Sequence, residues 1–237
     1  MHAMNSLFVT GTDTSVGKSH VCGRLLDYCL RKRLGAVYQK WVATGSGLVP
    51  EDLSSCLGAA GLRPDPARLD LQVPYRFGRP ASPHLAAESE KMVIEPERII
   101  AAFRQLRQSA ELLIVEGVGG ILVPLRRDLL LIDLVGRLSL PVLIVARSGL
   151  GTLNHTLLTI EALRHRGMVV TGVVFSDGPD PEDESLVQDN MRLVAEMGRV
   201  EVLGRLLRLP EGTGTEAART AFAPVGAAIL AALGWGK

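Results

Sequence analysis

The stretch LFVTGTDTSVGKSH, Leu7 to His20, constrains the chain more than any other part of it. An apolar run ends in a loop closed by Gly17, Lys18 and Ser19, and leucines at helical spacing follow. Strand, glycine-bounded loop and helix in that order make a phosphate loop, whose backbone N–H groups at the helix start face phosphate oxygens. One detail departs from the usual spacing. The upstream glycine is Gly11, one place early, and Thr12 fills its normal slot. The loop is therefore lengthened, with Thr12, Asp13 and Thr14 as additional polar content. These residues either cap the helix or point at a second ligand beyond the γ-phosphate, and the stretch alone leaves both readings open.

Short apolar runs recur along the chain between longer amphipathic stretches. SLFVT (6–10), AVYQ (36–39), LLIVEG (112–117), PVLIVAR (141–147) and VVTGVVFSD (169–177) read as strands, with VEVLGRL (201–207) as a last one. Continuous apolar runs of this kind mark strands buried on both faces, as in a parallel sheet covered by helices. Helices are expected over Lys18–Lys32, Glu97–Gln108, Leu153–Arg166, Glu182–Glu196 and Thr215–Leu233, the first stopped by Gly35. The alternation predicts an α/β fold: a doubly wound, mostly parallel sheet flanked by helices, like that of P-loop NTPases. With no repeat, low-complexity linker or boundary visible, a single domain over residues 1–237 is expected. The Pro-rich piece VPYRFGRPASPH (73–84) reads as a surface excursion.

Composition narrows the partners. The 26 basic and 25 acidic side chains leave a formal charge of +1, too little to draw in nucleic acid or anionic lipid. No apolar stretch reaches the length of a membrane span, and no basic segment followed by an apolar run opens the chain. A cytoplasmic protein is expected, with neither nucleic acid nor membrane as partner. Cys22, Cys29 and Cys56 are too few and wrongly spaced for a disulfide framework or a zinc site. Cys22 and Cys29, seven apart, read as buried positions on one helix face.

Ligands in doubly wound folds collect beyond the carboxyl ends of the strands, so the polar residues there carry the chemistry. Lys18 is placed to reach the β- and γ-phosphates, and the Ser19 hydroxyl to sit on magnesium. Glu116 ends an apolar strand, where an acid needs a partner. It reads either as a metal ligand or as a cap of the next turn, and Gly117, Gly119 and Gly120 let backbone approach a ligand closely. Asp52 by spacing is an exposed acid at a helix start. Lys40, just past the second strand, would alone pass for a surface lysine. Its strand-end place and the run Thr44-Gly45-Ser46 favour a functional role. These residues support a magnesium-dependent nucleotide enzyme or switch and do not name an acceptor.

Taken in order, GTDTSVGKS, QKWVATGS, PASPH, VEGVGG and GTLNH resemble dethiobiotin synthetase, from Phe8 to about Leu209. The resemblance implies a P-loop fold and a homodimer with its sites at the subunit interface. It also implies closure of the ureido ring of dethiobiotin from 7,8-diaminopelargonic acid, CO2 and ATP. It assigns Lys18 and Ser19 to phosphates and Mg2+, Asp52 and Glu116 to the metal side, and Thr14, Lys40 and Thr44 to substrate and γ-phosphate. Lys18, Lys40 and Thr14 become the catalytic residues. SGLGTLNH (148–155), with Gly151, Thr152 and Asn154, matches a helix start that holds the substrate's distal carboxylate across the dimer. Nucleotide contacts are implied for Ser15, Val16, Gly17 and His20 of the loop and for Gly117, Val118 and Gly119. At the base end they are implied for Ser176, Asp177, Leu206 and Leu207.

The implied chemistry explains why two lysines converge. An amine attacks CO2 only when neutral, and nearby positive charge lowers its pKa. The resulting carbamate must attack an anionic γ-phosphate, a repulsion that Lys18, Lys40 and magnesium offset. Ring closure by the second amine of the same molecule then gains from proximity. No protein nucleophile is required, and none of the cysteines is assigned one. The family has an asparagine after its GVV strand and a Gly-x-Ile-Pro further on, where this chain has Ser176-Asp177 and GRLL. A serine cannot pair bidentately with adenine, so triphosphate use is expected while the choice of base stays open. His84 and His155 read as local hydrogen-bonding residues, and Asp133 as a helix cap or paired acid. A related amidoligase would carry a glutaminase domain with a nucleophilic cysteine, for which this length leaves no room. A partner-regulated switch ATPase would carry a second lysine near Thr12.

Overall fold

The computed structural model describes residues 4–180, 182–210 and 212–235. Along the chain run β1 (Ser6–Gly11), α1 (Lys18–Arg31), β2 (Ala36–Lys40), β3 (Val42–Thr44), α2 (Glu51–Ala59), α3 (Leu69–Gln72), β4 (Tyr75–Phe77) and α4 (Pro83–Ser89). Then come α5 (Pro96–Gln108), β5 (Leu112–Gly120), β6 (Pro124–Arg126), β7 (Leu129–Leu130), α6 (Leu131–Arg137) and β8 (Val142–Arg147). The chain continues with α7 (Thr152–His165), β9 (Val170–Ser176), α8 (Glu184–Gly198), β10 (Val202–Leu206) and α9 (Thr215–Ala232). Six strands form one sheet in the order β10-β9-β8-β1-β5-β2, every neighbouring pair parallel. From β1 the chain first builds outward to β2, fills in β5, and then crosses to β8 on the other side. The carboxyl end of β1 is thus the switch point where such a fold opens a crevice. Among the described residues, no helix is long and apolar enough to cross a membrane.

Both faces of the sheet are buried, which is why its strands read as unbroken apolar runs. Side chains alternate faces along a strand, so β1 sends Leu7 and Val9 one way and Phe8 the other. Leu7 and Val9 join Val21, Leu25, Tyr38, Leu53, Ile114, Phe222 and Ile229 in one apolar layer. Phe8 joins Trp41, Phe77, Phe103, Val115, Leu134, Ile144 and Phe175 in the other. Cys22 and Cys29 lie in the first layer as unpaired, fully buried thiols on one face of α1.

The sheet strands and long helices match the sequence expectation within a few residues. Segment 73–84 does not. It was expected as a surface excursion, yet Val73, Tyr75 and Phe77 are buried, and β4 pairs in parallel with β3. Its prolines misled because they bracket the strand: Pro74 precedes it and Pro83 opens α4, positions where a missing N–H costs nothing. β5 also continues past Gly117 to Gly120, since Gly120 pairs with Gly11 across an irregular register. Asp133 is a helix cap, accepting the Leu130 N–H at 3.0 Å, with Arg166 at 3.7 Å.

Candidate active site

The loop between β1 and α1 folds over Gly11, and this accounts for the shifted glycine. A Cβ there would meet Asp13 O at 2.6 Å and Lys18 Nζ at 2.9 Å. Lys18 bends back so that Nζ donates to that same Asp13 carbonyl at 3.0 Å. The Asp13 carboxylate accepts the Thr14 N–H at 2.7 Å and pairs with Arg147 at 3.2 Å. Asp13 therefore braces the loop, while Thr14 and Ser15 are exposed on it. The loop turns through two left-handed residues, Ser15 (φ 55°) and Gly17 (φ 93°). At Gly17 only glycine fits, because a Cβ would strike the Ser176 hydroxyl.

Behind the loop, β2 and β5 bring charges together in register. Lys40 pairs with Glu116 across the two strands, and its Nζ lies 2.8 Å from Glu116 Oε1 and 2.6 Å from Asp52 Oδ2. Ser19 Oγ, in the first turn of α1, lies 2.7 Å from Asp52 Oδ1 and 2.8 Å from Glu116 Oε1. A hydroxyl carries one proton, so it donates to only one of these oxygens at a time. Glu116 is fully buried and Lys40 nearly so, and two buried charges are tolerable because they meet each other. Burial works against the Lys40 ammonium, but Glu116 and then Asp52 outweigh it and raise the pKa above the usual lysine value. For Asp52 burial pushes the pKa up, and the Lys40 charge and hydrogen bond bring the net shift downward. Lys18 is lowered: burial dominates, and Lys40 adds to it against the pull of Glu116 and Asp52.

Asp52 thus has both roles. It opens α2 and stays 40% exposed, as its spacing suggests, and it also closes the Lys40 and Ser19 contacts. Among the described residues, no group of three or more His, Cys, Asp and Glu side chains could hold a metal by itself. Two carboxylates and a hydroxyl nevertheless suit Mg2+, which takes one or two carboxylates and fills its octahedron with water and phosphate oxygens.

A cavity of about 340 Å³ opens beside the start of α1, lined by His20, Arg24, Asp177, Leu206, Leu207, Arg208 and neighbours. Four residues expected at the base end or the loop's edge therefore share one space, while Ser176 packs against Gly17. The Asp177 carboxylate is already engaged. It accepts from Ser148 Oγ at 2.6 Å and from Arg205 Nε at 2.7 Å. Burial opposes its charge, and Arg205 and Ser148 more than compensate, holding the carboxyl below the ordinary range. Its structural role joins three strand ends. His20 is lowered, first by burial and then by Arg24 and Arg208.

The other residues expected to meet the substrate are Thr44, near the γ-phosphate, and Gly151, Thr152 and Asn154, at the distal carboxylate. Among the described residues, no hydrogen bond joins any of these four to Lys18, Lys40 or Glu116. Thr152 is buried with its hydroxyl 3.3 Å from that of Thr156, whereas Gly151 and Asn154 are exposed at the start of α7. Gly117 packs edge-on to Phe8, and Gly119 (φ 59°) lies against Thr14. His84 and His155 were expected to make local hydrogen bonds. Among the described residues, however, His84 Nδ1 is buried without a hydrogen-bond partner, and neither imidazole bonds to the lysine–carboxylate group.

Tyr38 escaped the sequence reading. Its hydroxyl donates to Glu116 Oε2 at 2.8 Å, and it lies two residues before Lys40 on the same strand face. That spacing was the available signal. The pairing partner, 78 residues away, was not.

Comparison with known proteins follows the same lines. Residues 5–215 match a family described as an AAA domain. An ATP-dependent dethiobiotin synthetase of Methanococcus vannielii is 36% identical over 84% of this chain and 91% of its own. One from Rhodopseudomonas palustris strain HaA2 is 43% identical over 92% of each. Among solved structures, the MinC:MinD cell division complex of Aquifex aeolicus aligns over 97% of this chain and 94% of its own, with a TM-score of 0.57. Its 12% identity shows a shared fold alone.

Proposed function

The chain belongs to the ATP-dependent dethiobiotin synthetase family, ring-closing C–N ligases of biotin biosynthesis, and from that premise we propose how its own residues divide the work. The observation that carries the assignment is the convergence of Lys18, Lys40, Ser19, Asp52 and Glu116 behind a phosphate loop. The substrates are 7,8-diaminopelargonic acid, CO2 and ATP. Lys18 and the backbone N–H groups of residues 15–20 hold the triphosphate. Ser19, Asp52 and Glu116 hold Mg2+, which supplies positive charge to the phosphoryl oxygens.

Lys40 shifts its ammonium from the two carboxylates toward the carbamate and γ-phosphate, where it offsets the repulsion between two anions. The lysine charges also favour the neutral form of the attacking amine. Thr14, on the lengthened loop, and Thr44 meet the diamine and the γ-phosphate. Gly151, Thr152 and Asn154 at the start of α7 receive the distal carboxylate, an anion suited to a helix N-terminus. Val118 and its flanking glycines, with Ser176, Asp177, Leu206 and Leu207, border the nucleotide. The protein acts in the cytoplasm as a homodimer whose sites lie at the subunit interface, and its 237 residues form one domain. Exposed Leu122 and Leu158, which line a groove together with Thr12 and Gly120, support an interface running alongside the phosphate loop.

The test is turnover. Purified protein with the diamine, bicarbonate, Mg2+ and each of the four nucleoside triphosphates is expected to form dethiobiotin, seen by mass spectrometry, with one phosphate released per ring. Phosphate release without diamine and without ring product would refute this reading. The spread of rates among the four nucleotides reads out the base preference that Ser176 leaves open.

A further inference from the structure

Glu116 has two carboxylate oxygens, and the fold treats them differently. Oε1 faces the chemistry, with Ser19 Oγ and Lys40 Nζ each at 2.8 Å. Oε2 faces the core, where the Tyr38 hydroxyl donates to it at 2.8 Å. Neither Tyr38 nor Glu116 has any exposed surface, so no solvent competes for that oxygen. The pairing is built into the strands: Lys40 stands opposite Glu116, Tyr38 stands opposite Ile114, and Tyr38 and Lys40 share a strand face. The ring is fixed in the apolar layer with Val21, Cys22, Leu53 and Cys56, which leaves the hydroxyl little freedom to turn elsewhere.

We propose that Tyr38 is a positioning residue for the metal side of the site. By holding Oε2, it orients Glu116 so that only Oε1 is presented to the cation, with Ser19 and Asp52 beside it. The proposal rests on the reading of Ser19, Asp52 and Glu116 as the magnesium residues. Hydrogen-bond partners behind a ligating carboxylate fix its orientation, and losing one typically weakens metal binding about 10–100-fold.

Mn2+ binding, titrated by electron paramagnetic resonance into the complex with a non-hydrolysable ATP analogue, tests this directly. Tyr38→Phe is expected to weaken Mn2+ by about 10–100-fold, while binding of the analogue in EDTA stays within about twofold. A purely structural role would move both affinities or neither, and either result overturns the proposal. Glu116→Gln separates the two layers of inference. If it leaves Mn2+ affinity unchanged, the metal reading itself fails. If it weakens Mn2+ and Tyr38→Phe does not, the role of Tyr38 alone fails. Should Tyr38→Phe not fold, fluorotyrosines of graded acidity placed at position 38 keep the hydrogen bond and tune it. Mn2+ affinity must then follow phenol acidity, and a flat series overturns the proposal.

Discussion

Lys40 is the residue whose surroundings define its task most sharply. Its ammonium pairs with both Asp52 and Glu116, the same two carboxylates proposed for the metal, so lysine and cation compete for one pair of anions. Lys40→Met keeps the length of the stem and removes the charge. Turnover is expected to fall about 10²–10³-fold, the range for losing a group that stabilises transition-state charge. Triphosphate affinity should change only a few-fold. In the nucleotide-free enzyme, Mn2+ should bind about tenfold more tightly or better, as removal of a close like charge allows. Steady-state kinetics and metal titration check the two halves, and unchanged turnover would remove Lys40 from the reacting groups. Lys40 could be suspected from its place at a strand end. The family resemblance placed Asp52 and Glu116 in the same site, but not their ion pairs with Lys40, which lies 12 and 76 residues of chain away from them.

At the scale of elements, the β1–loop–α1 unit was the most legible part of the chain and has the least tolerance. Gly17 must take φ 93° and must leave room for Ser176 at the end of β9. Gly17→Ala therefore meets two penalties, a left-handed backbone costing about 1–2 kcal/mol and a collision with the Ser176 hydroxyl. Triphosphate affinity is expected to drop about tenfold or more, measured by calorimetry. Gly167→Ala is the control. Gly167 also has positive φ, 68°, but open space around its missing Cβ, so it should lower stability by about 1–2 kcal/mol and leave nucleotide binding untouched. Equal loss of affinity in both variants would show that strain alone matters. The segment 73–84 marks the opposite case. Its prolines resemble loop punctuation, and only the docking of β4 on β3 turns Tyr75 and Phe77 into core.

For the whole molecule, the proposed dimer can be tested from the groove that Thr12, Gly120, Leu122, His155 and Leu158 line. Leu158 is 55% exposed, and a charge placed there would be buried unpaired in an interface. Leu158→Glu is expected to weaken self-association about 100-fold or more and to raise KM for the diamine more than KM for the triphosphate. Light scattering and kinetics check this, and an unchanged mass would place the interface elsewhere. Within the chain, the apolar runs and the GTDTSVGKS loop were enough to establish a parallel α/β sheet with a phosphate site at its switch point. These depend on local periodicity, and a doubly buried strand or a glycine-closed helix start shows its nature in adjacent residues. The contacts that join Lys40 to the ligand set behind the loop, the division of Glu116 between Tyr38 and Lys40, and the engagement of Asp177 by Arg205 depended on which strands became neighbours. Strand order β2-β5-β1 sets residues 36–40 beside 112–116, and a sequence carries no local periodicity for contacts that only the crossover connections create.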